Sequence, residues 1–127
     1  KSGEGFYIYS GKRKKVSSNA RDMCEDATFT LDDDITLKRL IYVMINEASR
    51  CLEESVVESA STIDVGMIYG TGFPPFRGGL LRYADSVGAK QIVADLKEFQ
   101  VRFDQHRFEP SQLLLNMANT NGTFYPS

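Results

Sequence analysis

Hydrophobic positions in the middle of this chain recur with a helical period. Leu37, Leu40, Ile41, Met44, Ile45, Ala48, Cys51 and Leu52 follow the i, i+3, i+4, i+7 rule, which places them on one face of a long helix. Asp33, Asp34 or Thr36 can cap its N-terminus, where negative charge also suits the helix dipole. Tyr42 and Val43 widen the apolar face, so this helix is expected at the centre of the core. Asn46, Glu47, Arg50, Glu53 and Glu54 are its polar side, with Glu47 and Arg50 spaced for a surface pair. A second helix is predicted from an N-cap at Ser61, with Asp64 three residues on in near capping-box spacing. Ile63, Met67 and Ile68 would be its inward residues and Gly70 its stop. A short helix follows over Leu80–Asp85. Gly88 then separates it from a third long helix over about 89–104, with Ile92, Val93, Leu96, Phe99 and Phe103 inward. Pro110 suits the first turn of a last helix carrying Leu113, Leu114 and Met117. The sum is an all-α domain.

The N-terminal third lacks this period. Residues 3–9 form a short extended segment of aromatic and β-branched residues after two glycines. Residues from Gly11 to about Asp34 are polar, with a basic run at Lys12–Lys15 and an acidic run at Asp32–Asp34, and read as a solvated linker. A nucleic-acid patch would need more basic residues with aromatics interleaved.

Composition narrows the class only modestly. The 127 residues are 42% hydrophobic and 25% charged, with a net charge of −2. One domain of this size buries roughly two thirds of its unfolded surface, and the charge balance gives no general attraction to nucleic acid or anionic membrane. No apolar run reaches the roughly 18–20 residues of a membrane helix. Cys24 and Cys51 have neither metal-binding nor redox spacing; Cys51, on the helical stripe, reads as a buried reduced thiol. The chain begins at Lys1 without Met and without a signal-peptide pattern, so it reads as part of something longer.

The segment Tyr69–Gly79 stands out, with four glycines (Gly70, Gly72, Gly78, Gly79) and the pair Pro74–Pro75 among aromatic residues. The glycines open conformations closed to other residues, and the prolines fix φ and remove two donors. A phosphate cradle fails on two grounds: proline stands where a dinucleotide fingerprint needs its third glycine, and the loop follows a helix rather than a strand. No lysine followed by Ser or Thr supplies a P-loop. The segment reads instead as a rigid turn. On that reading Gly78→Val or Gly79→Val costs roughly 1–3 kcal/mol if the glycine has positive φ. His106, the single histidine, reads as an exposed residue without a catalytic partner set, although Asp104 and Glu109 are near it in sequence. Glu47, Glu53, Glu54 and Asp64 give no acid–base pair. No second His or cysteine pair offers metal-ligand spacing.

The run Gly72-Phe73-Pro74-Pro75-Phe76-Arg77-Gly78-Gly79, followed by Arg82–Asp85 and Gly88, resembles a signature of the multifunctional fatty acid β-oxidation enzymes. In that family the α-subunit carries enoyl-CoA hydratase and 3-hydroxyacyl-CoA dehydrogenase. Asn46–Glu47, Arg50–Glu54, Asp64–Gly70, Gly5–Tyr9 and Phe124–Pro126 are similar too. The resemblance implies a helical C-terminal dehydrogenase domain of the 6-phosphogluconate dehydrogenase C-terminal-like type. It further implies residues 1–10 as the tail of a preceding helical repeat, 11–31 as a polar linker and 32–127 as the second repeat. In such enzymes the nucleotide fingerprint and a catalytic His–Glu pair lie upstream, where hydride passes from the 3-carbon to NAD⁺. The catalytic repeat places a substrate-contacting Asn before an Arg on its first helix; here Lys38 precedes Arg39. This copy is therefore expected to be non-catalytic, binding no NAD or metal itself. Gly70, Gly72, Pro74, Pro75, Gly78 and Gly79 then serve as structural motif residues. The expected partners are the preceding repeat and Rossmann domain of the same chain and a thiolase subunit, without nucleic acid. Single-domain relatives dimerise through their helical domains, and the apolar excess of Tyr42, Val43, Phe76 and Leu81 fits an interface, or self-association of the segment alone. The implied location is the bacterial cytoplasm, with the mitochondrial matrix as the alternative. Two further readings stay open: Lys38, Arg39 or Arg77 holding CoA phosphates, or a stand-alone helical interaction module.

Overall fold

The computed structural model describes residues 5–25, 32–103 and 105–126, apart from the side chains of Cys24 and Glu25. The chain divides into two compact units, residues 1–32 and 33–127. Asp104 and the side chain of Cys24, both read above, lie outside the described residues, as does the stretch 26–31 of the expected linker.

The first unit holds secondary structure where a linker is expected. Strands β1 (Tyr7–Ser10) and β2 (Arg13–Val16) pair antiparallel, Tyr7 opposite Val16 and Tyr9 opposite Lys14. Gly11 turns the chain at φ +59, as a tight two-residue hairpin loop requires. Helix α1 (Ser18–Glu25) follows, and the Ser17 hydroxyl accepts from the Ala20 amide at 3.3 Å as its cap. The expectation of solvation survives, since every residue of both strands is exposed. Backbone pairing and one serine cap give residues 7–25 this secondary structure.

The second unit is helical throughout, among the described residues. Helices α2 (Asp33–Glu53), α3 (Ala60–Thr71), α4 (Leu80–Val87), α5 (Ala89–Phe103) and α6 (Gln112–Thr120) are joined by 3₁₀ turns at Pro75–Arg77 and His106–Phe108. Tyr42, Ile45 and Ala48 of α2 pack with Leu80, Leu81 and Ala84 of α4, Ile92, Leu96 and Phe99 of α5 and Leu114 of α6. Phe99 and Phe108 meet edge to face at 5.7 Å between ring centres, a geometry rings favour.

The predicted boundaries shift in instructive ways. Helix α2 begins at Asp33, so Asp33 and Asp34 lie in its first turn rather than capping it. Leu37 and Leu40 match the helical period yet are exposed, because the first turns of α2 pack inward through Ile35, Lys38 and Arg39, on the other side of the helix. Cys51 is half-buried rather than buried. Helix α3 is capped by Ser59, whose hydroxyl accepts from the Thr62 amide, not by Ser61. It runs through Gly70 and stops at Gly72, which has φ +75 and donates to Ile68 O while Phe73 N donates to Met67 O at 3.2 Å. The bond from Gly72 to Ile68 O is that of an αL ending, and Phe73, buried beyond it, supplies an apolar contact. Helix α6 is capped by Ser111, leaving Pro110 before the helix. Of the four residues counted as apolar excess, Tyr42 and Leu81 are core and only Phe76 is fully exposed.

Candidate functional site

Asp64, 3% exposed on α3, is the buried carboxylate among the described residues. Far from capping its own helix, it caps another. Its Oδ1 accepts from the Leu81 amide at 2.7 Å and its Oδ2 from the Arg82 amide at 3.2 Å. These are first-turn donors of α4, whose own N-cap residue, Gly79, has no side chain to offer. A carboxylate there satisfies orphan amides and meets the positive end of the helix. The glycines are what admit it. Gly79 has φ +119, and a Cβ at this position would overlap Cβ and Cγ of Asp64. Gly78, at φ +80, closes the 3₁₀ turn by donating to Pro75 O at 2.9 Å.

The C-terminal segment completes the arrangement. The Tyr125 hydroxyl donates to Asp64 Oδ2 at 2.7 Å, and the Arg82 guanidinium lies 3.7 Å from the Tyr125 ring centre, a cation–π distance. Asp85, one helical turn on from Leu81, accepts from the Phe124 and Tyr125 amides at 2.8 and 3.0 Å. Burial, with the Asp64 bond second, pushes the Tyr125 hydroxyl up to about 12, since ionisation would bring a second negative charge against the carboxylate.

A second polar node lies on α2. Asn46, 1% exposed, donates to Glu109 O at 2.7 Å and accepts from the Ser111 amide at 2.8 Å. Arg50 donates to the same Glu109 carbonyl at 2.8 Å, and Glu53 accepts from the Leu113 amide at 3.3 Å. Asn46 and Glu53, read from sequence as outer polar positions, thus order the approach to α6. The Glu47–Arg50 pair forms at 3.5 Å as its spacing predicts.

The remaining candidates are dispersed. Lys38 is held by Asp34 at 3.2 Å and Asp95 at 3.8 Å, and the hydrogen bond and charge of Asp34, with Asp95 behind, raise its pKa. The Arg39 guanidinium lies 3.9 Å from the Phe103 ring centre. Arg77 is exposed beside Phe76 and Tyr83, each about 5.6–5.7 Å away. His106 is exposed in its 3₁₀ turn. Of the motif residues, Gly70 sits in exposed helix, while Gly72, Pro74, Pro75, Gly78 and Gly79 shape the passage from α3 to α4. Among the described residues no three His, Cys, Asp or Glu side chains group to hold a metal ion.

These residues do not fit a dinucleotide either. The amides that a phosphate would seek at the start of α4 are taken by Asp64, whose charge would repel it. In this arrangement two helices use buried polar side chains to fix the entry of two others. Asp64 and Asn46 escaped the sequence reading because their partners are distant along the chain; the lone charge on an otherwise uncharged helix is the signal that marks Asp64.

Known proteins locate this architecture. The family described as 3-hydroxyacyl-CoA dehydrogenase, C-terminal domain, matches residues 36–123. The chain is 40% identical over 127 residues to the fatty acid oxidation complex subunit alpha of Vibrio parahaemolyticus and 42% identical over 128 residues to that of Shewanella loihica. Each match covers 98% of this chain and 18% of the relative, so the chain spans less than a fifth of the proteins it resembles. With both nodes built from residues 46–125 and the family match running through nearly the same stretch, the chain belongs to the 3-hydroxyacyl-CoA dehydrogenase C-terminal domain family.

Proposed function

We propose that residues 33–127 are a non-catalytic supporting domain of a multifunctional fatty acid β-oxidation enzyme that oxidises 3-hydroxyacyl-CoA to 3-ketoacyl-CoA with NAD. The observation that carries this is the use made of buried polar groups. Asp64 and Asn46, 3% and 1% exposed, are spent on backbone amides and carbonyls of their own unit. The lysine before Arg39, where the catalytic repeat of such enzymes has asparagine, is engaged with two carboxylates. The segment 1–10 then belongs to the preceding repeat, and its exposed Phe6, Ile8 and Tyr9 are the residues that repeat would cover. NAD, the catalytic residues and the contact with a thiolase subunit belong to the remainder of the enzyme, in the bacterial cytoplasm or, alternatively, the mitochondrial matrix.

Kinetics of the full-length protein with acetoacetyl-CoA and NADH test the assignment. Lys38→Ala, Arg39→Ala and Arg77→Ala are each expected to leave KM for the CoA substrate within about twofold, because no uniform binding contact is removed. The competing reading, direct grip of CoA phosphates, draws on Arg77, which is exposed and has no carboxylate partner among the described residues. A KM raised about tenfold or more in Arg77→Ala, with kcat unchanged, establishes that reading instead.

A further inference from the structure

Arg39, half-buried on α2, has no carboxylate partner among the described residues. Charge withdrawn from water is normally paired, yet this guanidinium is held by rings. It lies 3.9 Å from the Phe103 ring centre and 5.7 Å from that of Phe108, and its Nε is enclosed without a hydrogen-bond partner. Stacking fixes the plane of the guanidinium and leaves the donors along its edge unspent. Arg107 stands in the 3₁₀ turn that carries Phe108, exposed and likewise without a carboxylate among the described residues. Its backbone is held by Asn46, which donates to the Arg107 carbonyl at 3.4 Å and to that of Glu109 at 2.7 Å.

Both arginines line one cleft of about 350 Å³ between α2 and that turn. The rest of its wall is chiefly apolar, with Leu40, Val43 and Met44 from α2 and Phe108 from the turn. Among the described residues no acidic side chain lines it. Two cations beside an apolar wall select a ligand of two parts: an anionic head that guanidinium forks can grip, and an apolar chain. The cleft is at the small end of the range for small-molecule sites, which suits one chain rather than the two of a phospholipid. A nucleotide head would need a free ring face, but Phe103 already carries Arg39 and Phe108 is 1% exposed. We propose that this cleft binds a free fatty acid, its carboxylate held by Arg39 and Arg107 and its chain lying along Leu40, Val43 and Met44. The site is separate from any grip on CoA phosphates and goes beyond the supporting-domain reading.

The test is photolabelling of the full-length protein with decanoate carrying a terminal diazirine, mapped by peptide mass spectrometry. Labelling is expected to saturate on peptides holding residues 40–44 or 106–108 and to be displaced by unlabelled decanoate. Decanol, which lacks the carboxylate, should not displace it. Arg107→Glu should reduce the labelling about tenfold or more, through loss of one charge-assisted contact. Arg39→Lys should reduce it similarly, because an ammonium does not reproduce the planar fork. If Arg39→Lys fails to fold, the exposed Arg107 and the decanol competition in the wild-type protein decide the matter. Equal displacement by decanol, labelling only elsewhere, or unchanged labelling in Arg107→Glu overturns the proposal. Displacement by decanoyl-CoA at about tenfold lower concentration than decanoate makes the ligand a thioester, and labelling seen only with added phosphatidylglycerol vesicles makes it a lipid surface; both overturn it. None of these outcomes bears on the supporting-domain assignment, which the KM measurements decide separately.

Discussion

Asp64 on α3 and Asn46 on α2 perform one physical task by different chemistry. Each is almost wholly buried and reaches across the unit to fix the N-terminal end of another helix, α4 and α6 respectively. Asn46 does so with a neutral amide that both donates and accepts, so carbonyl and amide partners are matched and no charge is desolvated. Asp64 can only accept, and it gathers three donors: two backbone amides and the Tyr125 hydroxyl. The charged node holds more strongly and imposes more on its surroundings. It requires a glycine at position 79, a glycine at the end of the preceding turn, and an aromatic residue returning from the C-terminal segment. The neutral node asks only for a serine cap and an arginine over the same loop.

The comparison breaks most visibly at the glycine. Gly79→Val should cost about 3–5 kcal/mol in a denaturant titration, because strain at positive φ adds to direct overlap with Asp64. Gly78→Val should cost only about 1–2 kcal/mol, since its added Cβ meets the Arg82 side chain at 3.2 Å, which can move aside. Equal costs for the two would mean that Asp64 is not what reserves position 79.

Removing the polar groups comes next. Asp64→Ala should cost about 2–4 kcal/mol, leaving the Leu81 and Arg82 amides and the Tyr125 hydroxyl without their acceptor. Asn46→Ala should cost about 1–3 kcal/mol, chiefly through the stranded Ser111 amide. If Asn46→Ala proved the more damaging, charge would not be what distinguishes the nodes.

The smallest effect concerns pH. Tyr125 and Tyr42 are both pushed up to about 12, chiefly by burial. Raised above the ordinary value of about 10, each favours the protonated folded state. That stability is complete below pH 10 and is lost as pH rises from 10 through 12. The melting temperature should fall across this window. Tyr125→Phe should cost about 0.5–1.5 kcal/mol at neutral pH and make the alkaline fall shallower. An unchanged slope would detach Tyr125 from the charged node, and Asn46→Ala should leave the slope as it is, having nothing to titrate.

Much of this was legible along the chain. The inward residues of α5 follow from their spacing, since a 3.6-residue period describes a face whatever it packs against. The turn at Gly78–Gly79 was recognisable because positive φ is a local demand. Errors gathered where a local rule met a non-local partner. Asp64 has capping-box spacing from Ser61, yet its carboxylate is drawn to amides 17 and 18 residues away. Gly70 looks like a helix stop, but the apolar contact of Phe73 moves the stop to Gly72. The hairpin was missed because its basic strand has no apolar face, although two runs flanking Gly11–Lys12 have hairpin spacing.

What the sequence determined by itself is therefore the helical class, the long central helix and the family, all written in short-range periods and contiguous motifs. Only the tertiary structure decided which polar residues matter. Asn46 finds Ser111 across 65 positions and Asp64 finds Tyr125 across 61. A buried hydrogen-bonding group takes whichever partner packing brings to it, and no local pattern encodes that choice.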